Sequence, residues 1–198
     1  QSNRILWQDA VGKLSLAVTT LFWGVGAVVQ FAVLLWAKEA LDMPLEQASL
    51  LQAVVAFGVI FGAGMAGHMV ALHQAHRVLP LGLWLGISLP ALVFSTSLWI
   101  AIPLMLLTGF AGGMLMVPMN ALLQNRGYKL LTAGRSIAVQ GFNENASVMI
   151  MLGVYSGLLA LEFPLKWVMT LIGIFMTLGI LYLMRMASHK TDSTCSAI

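Results

Sequence analysis

Charged residues are scarce in this chain. Only 9% of its 198 residues are Asp, Glu, Lys or Arg, whereas soluble domains carry roughly 25%. Hydrophobic residues make up 60% of the chain, and the mean hydropathy is +0.91. A water-soluble fold of this length would leave roughly a third of its surface exposed, which is too much for so apolar a sequence. The composition therefore excludes an ordinary soluble domain and predicts that the surrounding medium is lipid.

Other features are also missing. A single cysteine, Cys195, excludes a disulfide framework. The basic residues are scattered between apolar segments and form no stripe that would bind nucleic acid. The chain carries no phosphate-binding loop, HExxH zinc motif or GxSxG nucleophile motif, so we predict no enzyme, no cofactor and no metal site. It opens with Gln1 and has no signal peptide, which indicates a piece of a longer protein.

Six apolar segments are each long enough to cross a hydrocarbon core of about 30 Å. They cover Leu14–Ala37, Gln47–Val70, Val78–Phe94, Leu98–Gln124, Gly134–Leu161 and Pro164–Met186. Because they lack the alternating pattern of barrel strands, they predict an all-α membrane protein with six transmembrane helices. The expected organisation is a cytoplasmic arm at residues 1–13, a six-helix bundle at residues 14–186 and a polar cytoplasmic tail at residues 187–198.

Positive charge is concentrated in alternate connections. All ten lysines and arginines except Lys38 and Lys166 fall in the amino-terminal arm, the second and fourth loops or the tail: Arg4, Lys13, Arg77, Arg126, Lys129, Arg135, Arg185 and Lys190. The positive-inside rule places these connections in the cytoplasm. Both ends of the chain are then expected on that side.

Small and aromatic residues predict how the helices pack. Small residues spaced along the second and fourth segments favour close helix contacts in lipid: Gly58, Gly62, Ala66, Gly109, Gly112 and Gly113. Tryptophans near the segment ends are typical of interfacial anchors: Trp36, Trp84, Trp99 and Trp167.

Glu144 is the only acidic residue inside any apolar segment. An ionised carboxylate near a bilayer centre costs about 3 kcal/mol on insertion scales, so we expect it to face protein or water. The helical period places it on one face with other polar residues: Ser136, Gln140, Asn143 and Ser147. Two interpretations stand. Glu144 is a gate or lining residue that could titrate, or it is a structural hydrogen-bonding residue that holds its helix to a neighbour.

Weaker polar stripes lie on the first and fourth segments. Thr19, Trp23 and Gln30 share one face of the first. Gln30 either meets the head group of a substrate or bridges two helices. On the fourth segment, Pro118 predicts a kink with the amide of Asn120 beside it.

Several long runs resemble the bacterial lysophospholipid transporters of the major facilitator superfamily. The run Ala111–Gly127 (AGGMLMVPMNALLQNRG) resembles their tenth helix and the loop after it, and residues 133–140 followed by Asn143-Glu144-Asn145 continue the match. Leu21–Gly26 and Leu34–Trp36 resemble their seventh helix. The similarity extends over most of the chain, from about Leu14 to Gly173, and is densest between Gly109 and Tyr155. Runs of this length are much more specific than any short motif.

The resemblance implies that this chain is the C-terminal six-helix half of a twelve-helix transporter. Members of the family move lysophospholipids, chiefly lysophosphatidylethanolamine, from the outer to the inner leaflet of the bacterial inner membrane. An acyltransferase/acyl-carrier-protein synthetase then re-acylates them. The implied partners are an N-terminal six-helix half, the lysophospholipid, membrane lipids and that acyltransferase.

An alternating-access transporter needs a cavity and a gate. We expect the cavity to be lined by Thr19, Trp23, Gln30, Pro118 and Asn120, and the gate, or seam between the two halves, to contain Gln140, Asn143, Glu144 and Ser147. The cytoplasmic loops present Arg77, Arg126 and Arg135. The loop Gly67–Arg77 stands where the superfamily carries its cytoplasmic signature but lacks the usual acid.

Two other functions remain open from the sequence. A proton-coupled drug or small-solute exporter of the same superfamily would use Glu144 as its proton carrier. A non-transporting scaffold would dock the acyltransferase, although it would have no need of intramembrane Gln, Asn and Glu.

Overall fold

The computed structural model describes residues 2–195, with the side chains of residue 73 and residues 188–195 left aside. Over that range every regular element is helical. There are seven α-helices and one 3-10 helix, Leu72–Val78: α1 Ser2–Gln8, α2 Ala10–Leu41, α3 Leu45–Met69, α4 Pro80–Val93, α5 Leu98–Leu130, α6 Ala133–Ala160 and α7 Leu165–Cys195.

Five stretches of the described chain are long and apolar enough to cross a membrane: Ala10–Leu41, Leu45–Met69, Gln74–Val93, Leu98–Leu130 and Leu165–Ala187. The prediction of an all-α membrane protein is confirmed. The six predicted segments coincide in position with α2 to α7. The predicted arm at residues 1–13 contains α1 and the start of α2. Helix α7 continues into the predicted tail as far as Cys195, and the last three residues of that tail lie outside the described range.

Helix α6 differs from the other long helices. It has 28 residues, enough for about 42 Å at 1.5 Å per residue, but it is not among the stretches apolar enough to qualify as a span. Its first half carries Gln140, Asn143, Glu144 and Asn145 within six residues. These side chains lower the mean hydropathy of α6. Whether the helix can cross a membrane therefore depends on whether neighbouring helices supply hydrogen-bond partners for them.

The long helices form pairs around α2. Helix α3 packs most closely against α5, α4 against α7, and α6 against α2, while α2 also contacts α5 and α7. The main core is built from side chains with almost no exposed surface, among them Val18, Trp36, Leu115, Met176 and Ile180. A second, smaller core lies near the beginning of α6, where Leu6 of α1 packs with Leu16, Leu123 and Val139.

Helices α3 and α5 touch backbone to backbone. A side chain added at any of four glycines would collide with a carbonyl of the facing helix, which explains why no larger residue stands there. The pairs are Gly58 with Leu106, Gly62 with Phe110, Gly109 with Val55, and Gly113 with Val59. The predicted packing role of these glycines is confirmed, and Gly112 instead contacts Phe22 of α2.

The tryptophans divide into two groups. Trp84, Trp99 and Trp167 are 40%, 90% and 53% exposed, as interfacial anchors require. Trp36 is only 2% exposed and belongs to the main core. Its predicted role as an anchor was wrong because α2 is surrounded by other helices, so a ring near its end contacts protein.

Candidate functional site

An apolar cavity of about 570 Å³ lies among α2, α3, α4, α5 and α7. Its size falls in the range of small-molecule sites, roughly 300–1,000 Å³. Most of its wall is Val, Ile, Leu, Ala and Gly, with Trp23 and Phe22 contributing aromatic surface from α2. Three polar side chains interrupt that wall: Gln30 of α2, Gln52 of α3 and Thr108 of α5. The cavity can therefore accept a long apolar group and offers a few hydrogen bonds.

Gln52 is a site residue that sequence reasoning missed. Its Nε2 donates a hydrogen bond to the backbone carbonyl of Gln30 at 2.9 Å. The bridge between α2 and α3 thus uses the side chain of Gln52 and only the backbone of Gln30, whose side chain is exposed. An amide among the leucines, alanines and valines of residues 50–56 was the available signal, since a large polar side chain in mid-helix needs a partner.

Of the five residues predicted to line the cavity, two lie in its wall and three do not. Trp23 and Gln30 line the cavity. Thr19 is fully buried, and its Oγ1 donates to the carbonyl of Leu16 in its own helix at 3.1 Å. Pro118 is buried within α5, which continues through it, and Asn120 turns toward α6. The latter three side chains lie outside the cavity wall.

A polar network joins α5 to α6. The Nε2 of Gln140 donates to Asn120 Oδ1 and to Glu144 Oε1, both at 2.8 Å. Both acceptors are half-buried. Among the described side chains, no cation lies within ion-pair distance of Glu144. Its carboxylate is held by an amide donor and carries no neutralising charge from this part of the chain.

Asn143 faces a different neighbour. Its Oδ1 accepts from Trp7 Nε1 at 3.2 Å, and its Nδ2 donates to Asn3 Oδ1 at 3.0 Å. Both partners belong to α1. Ser147, one turn further along α6, lies against Gly24 of α2, where an added side chain would collide with its Oγ. The predicted gate residues therefore have different partners. Gln140 bonds to α5, Asn143 bonds to α1, Ser147 lies against α2, and Glu144 bonds to Gln140 within α6.

Asp9 connects α1, α2 and α5. It is the N-cap of α2, where its Oδ1 accepts from the backbone N–H of Gly12 at 2.8 Å. The same carboxylate receives two bonds from the Arg126 guanidinium, Nε to Oδ1 at 2.9 Å and the terminal nitrogen to Oδ2 at 2.8 Å. Hydrogen bonding from Arg126 lowers the pKa of Asp9, against an opposing effect of burial. Arg126, which was predicted to lie in a cytoplasmic loop, therefore holds the end of α5 to the beginning of α2 through Asp9.

The two other predicted loop arginines are exposed. Arg77 stands in the 3-10 helix before α4. Arg135 lies in the first turn of α6, whose N-cap is Thr132, and it lines a small pocket between α1 and α6. No group of three His, Cys, Asp or Glu residues that could hold a metal ion occurs in the part of the chain that the structure describes.

These features define a class of protein. A set of apolar helices with exposed apolar faces, an open apolar cavity among them and polar side chains between the helices is typical of a multi-pass membrane transporter. No family model matches the chain.

Curated relatives give the particular group. Over 153 residues, 77% of this chain and 38% of the relative, it is 40% identical to the lysophospholipid transporter LplT of Serratia proteamaculans (strain 568). Over 162 residues, 81% of this chain and 40% of each relative, it is 41% identical to the proteins of that name from Yersinia pestis (strain Pestoides F) and Yersinia pseudotuberculosis serotype I (strain IP32953). The chain is a homologue of the bacterial lysophospholipid transporters, and the resemblance seen in its sequence is confirmed.

The chain spans about two fifths of the length of the curated relatives it matches. Their name is that of a transporter and not of an enzyme, which agrees with the prediction of a non-enzymatic protein.

Proposed function

We propose that this chain is the C-terminal six-helix half of a major facilitator superfamily transporter that moves lysophospholipids across the bacterial inner membrane. The observation that carries the proposal is the apolar cavity with amides in its wall, in a homologue of proteins named for lysophospholipid transport. A lysophospholipid has one acyl chain and a polar head group. The apolar wall suits the chain, and Gln30, Gln52 and Thr108 suit the polar part.

In this proposal α6 also crosses the membrane, which makes six spans. It has the length to do so, and its polar residues are partnered by protein: Gln140 by Asn120, and Asn143 by α1. Polar groups inside a membrane are tolerated when they bond to neighbouring helices. The basic residues at the ends of α1, α5 and α6 then lie in the cytoplasm, and both ends of this half lie on that side.

The partner of this half is an N-terminal six-helix bundle. Helices α3 and α6 present large exposed apolar side chains that such a bundle would cover, for example Phe57, Phe61, Ile150 and Val154. The relatives are about two and a half times as long as the matched region, which leaves room for six further spans.

Transport would follow alternating access, with the two bundles rocking around the cavity. The network of Gln140, Asn120 and Glu144 lies beside the proposed seam and would favour one closed state. The substrate is chiefly lysophosphatidylethanolamine, delivered to the inner leaflet for re-acylation by an acyltransferase/acyl-carrier-protein synthetase. Half of a pseudo-symmetric transporter cannot enclose a cavity on both sides, so the fragment alone would not transport.

A bulky residue in the cavity tests the proposal. Ala56 lines the cavity from α3, whereas Ala53 on the same helix is exposed and does not line it. In the full-length protein reconstituted into liposomes, Ala56→Trp should abolish movement of lysophosphatidylethanolamine between leaflets. Ala53→Trp should retain it. Equal activity of both variants, or full activity of the isolated half, would refute the proposal.

A further inference from the structure

A second pocket, of about 270 Å³, lies where α1 meets the beginning of α6. Its wall consists of Ser2, Asn3, Arg135, Ala138, Val139 and Phe142. It shares no lining residue with the larger cavity, so a group bound here would not compete with one bound there. Three of these residues are polar and three apolar, so the wall has a polar side and an apolar side.

The polar half offers hydrogen-bond donors. Arg135 is exposed. The ion pair of Asp9 with Arg126 is the only one among the described side chains, so none of their carboxylates neutralises the guanidinium of Arg135. The Oδ1 of Asn3 already accepts from Asn143, which leaves its amide nitrogen as a donor. Ser2 adds a hydroxyl. A planar guanidinium beside neutral donors is the arrangement that binds phosphate oxygens.

The charges around this pocket favour an anion. Basic side chains surround the adjoining ends of α1, α2, α5 and α6: Arg4, Lys13, Lys129 and Arg135. The one carboxylate among these ends, Asp9, is held by Arg126. Glu144 does not line the pocket, and it lies nine residues beyond Arg135, about 13 Å from it along the axis of α6. Basic side chains thus outnumber carboxylates around the pocket, which favours an anion.

The apolar half continues along the outside of α6. Phe142 is 67% exposed, and Met149, seven residues later on the same helical face, is 75% exposed. An inorganic ion would contact the polar half alone. A membrane phospholipid would contact both, with its phosphate at Arg135 and its acyl chain along Phe142 and Met149.

We propose that this pocket binds the phosphate group of an anionic membrane phospholipid, as a bound lipid distinct from any transported substrate. Basic pockets at the cytoplasmic ends of membrane helices bind lipid head groups in this way. Docking of α1 completes the site, because Ser2 and Asn3 supply part of its wall. The proposal needs the helices to lie in a membrane but does not depend on the larger cavity carrying a lysophospholipid.

The test measures the melting temperature of the purified full-length protein with added dioleoylphosphatidylglycerol, dioleoylphosphatidylcholine or inorganic phosphate. Phosphatidylglycerol should raise it most. Arg135→Gln should weaken binding of phosphatidylglycerol about tenfold, the order expected for loss of a charge-assisted hydrogen bond. Arg77→Gln removes an exposed cation that lies in the 3-10 helix and does not line the pocket, and it should bind phosphatidylglycerol as the wild type does.

A second variant guards against misfolding of the first. Ala138→Glu places a carboxylate in the pocket at an exposed position and should also abolish the effect of phosphatidylglycerol, whereas Ala133→Glu, exposed and outside the pocket, should not. Undiminished binding by both Arg135→Gln and Ala138→Glu would overturn the proposal. So would equal stabilisation by inorganic phosphate or phosphatidylcholine. Failure of lysophospholipid transport in the cavity test would leave this result unaffected.

Discussion

The carboxylate of Asp9 and the guanidinium of Arg126 form a two-bonded ion pair across 117 residues of chain, at 2.9 and 2.8 Å. The same carboxylate caps α2 through Gly12. One side chain thus ties the short helix α1, the beginning of α2 and the end of α5 together. Leu6 completes the contact by burying its side chain between α2, α5 and α6.

A double-mutant cycle should measure the strength of this contact. Asp9→Asn keeps a side-chain acceptor for the helix cap and removes the charge, and Arg126→Gln removes the other charge. Each should lower the melting temperature of the full-length protein, and the double variant should cost less than the two together. We expect a coupling of about 1 kcal/mol, at the upper end for partly exposed pairs because the geometry is two-bonded. Exposed Asp42→Asn serves as the control. Simple additivity would show that the two side chains do not stabilise one another.

The same pair predicts a pH dependence. Arg126 holds the pKa of Asp9 below its ordinary value of 3.8. A carboxyl group with a lowered folded pKa stabilises the protein above the unfolded value and loses that contribution as pH falls through the folded value. The gap in melting temperature between wild type and Asp9→Asn should stay constant from neutral pH to about pH 5 and close below about pH 4. A gap that persists at the lowest pH the protein tolerates would contradict the assignment.

Two glycines of α3 should respond to replacement by alanine with opposite changes in melting temperature. Gly→Ala in an open helix position stabilises by up to about 1 kcal/mol, and Gly64 has no neighbouring atom within contact distance of an added Cβ. Gly62 faces the carbonyl of Phe110, so its Cβ would force two backbones apart. Gly64→Ala should leave the melting temperature unchanged or raise it, and Gly62→Ala should lower it. The helix interface is wrongly placed if both variants respond alike.

Glu144 should affect the rate of transport more than the affinity for lipid. It accepts a hydrogen bond from Gln140 within α6, and Gln140 in turn donates to Asn120 of α5, so Glu144 would favour one conformation by holding the side chain that links the two helices. We expect Glu144→Gln to lower the initial rate of lysophosphatidylethanolamine movement several-fold with little change in binding. Exposed Asn145 bonds only to the carbonyl of Gly141 in its own helix, so Asn145→Ala is the matched control. Parallel loss of binding and transport in Glu144→Gln would make this carboxylate a head-group ligand instead.

Local pattern in the sequence was enough to place the six long helices. Apolar runs and their length predict spans because the hydropathy of a helix depends on its own residues. Small residues spaced along α3 and α5 predicted that each packs closely against another helix. Glu144 and Gln140 were found because a polar side chain is conspicuous in an apolar segment. These predictions needed no information about which helix lies beside which.

The contacts of α1 could not be predicted. Its residues and Asp9 belong to the segment predicted as a cytoplasmic arm, residues 1–13. The partner of Asn3 is Asn143 and the partner of Asp9 is Arg126, and both lie far along the chain. Gln52 was missed, and Trp36 was assigned the wrong role, for the same reason. Whether a side chain lines a cavity, meets a neighbour or faces lipid depends on the arrangement of all the helices, which composition and periodicity do not determine.

The glycine contacts between α3 and α5 have a mechanical consequence. At four successive levels no side chain separates the two backbones, so α3 and α5 should move as one rigid unit. Asp9 binds the end of α5 through Arg126. A displacement of that end would therefore also move α3, and with it the Gln52 side of the cavity. The amino-terminal helix would then act on a wall that it never touches.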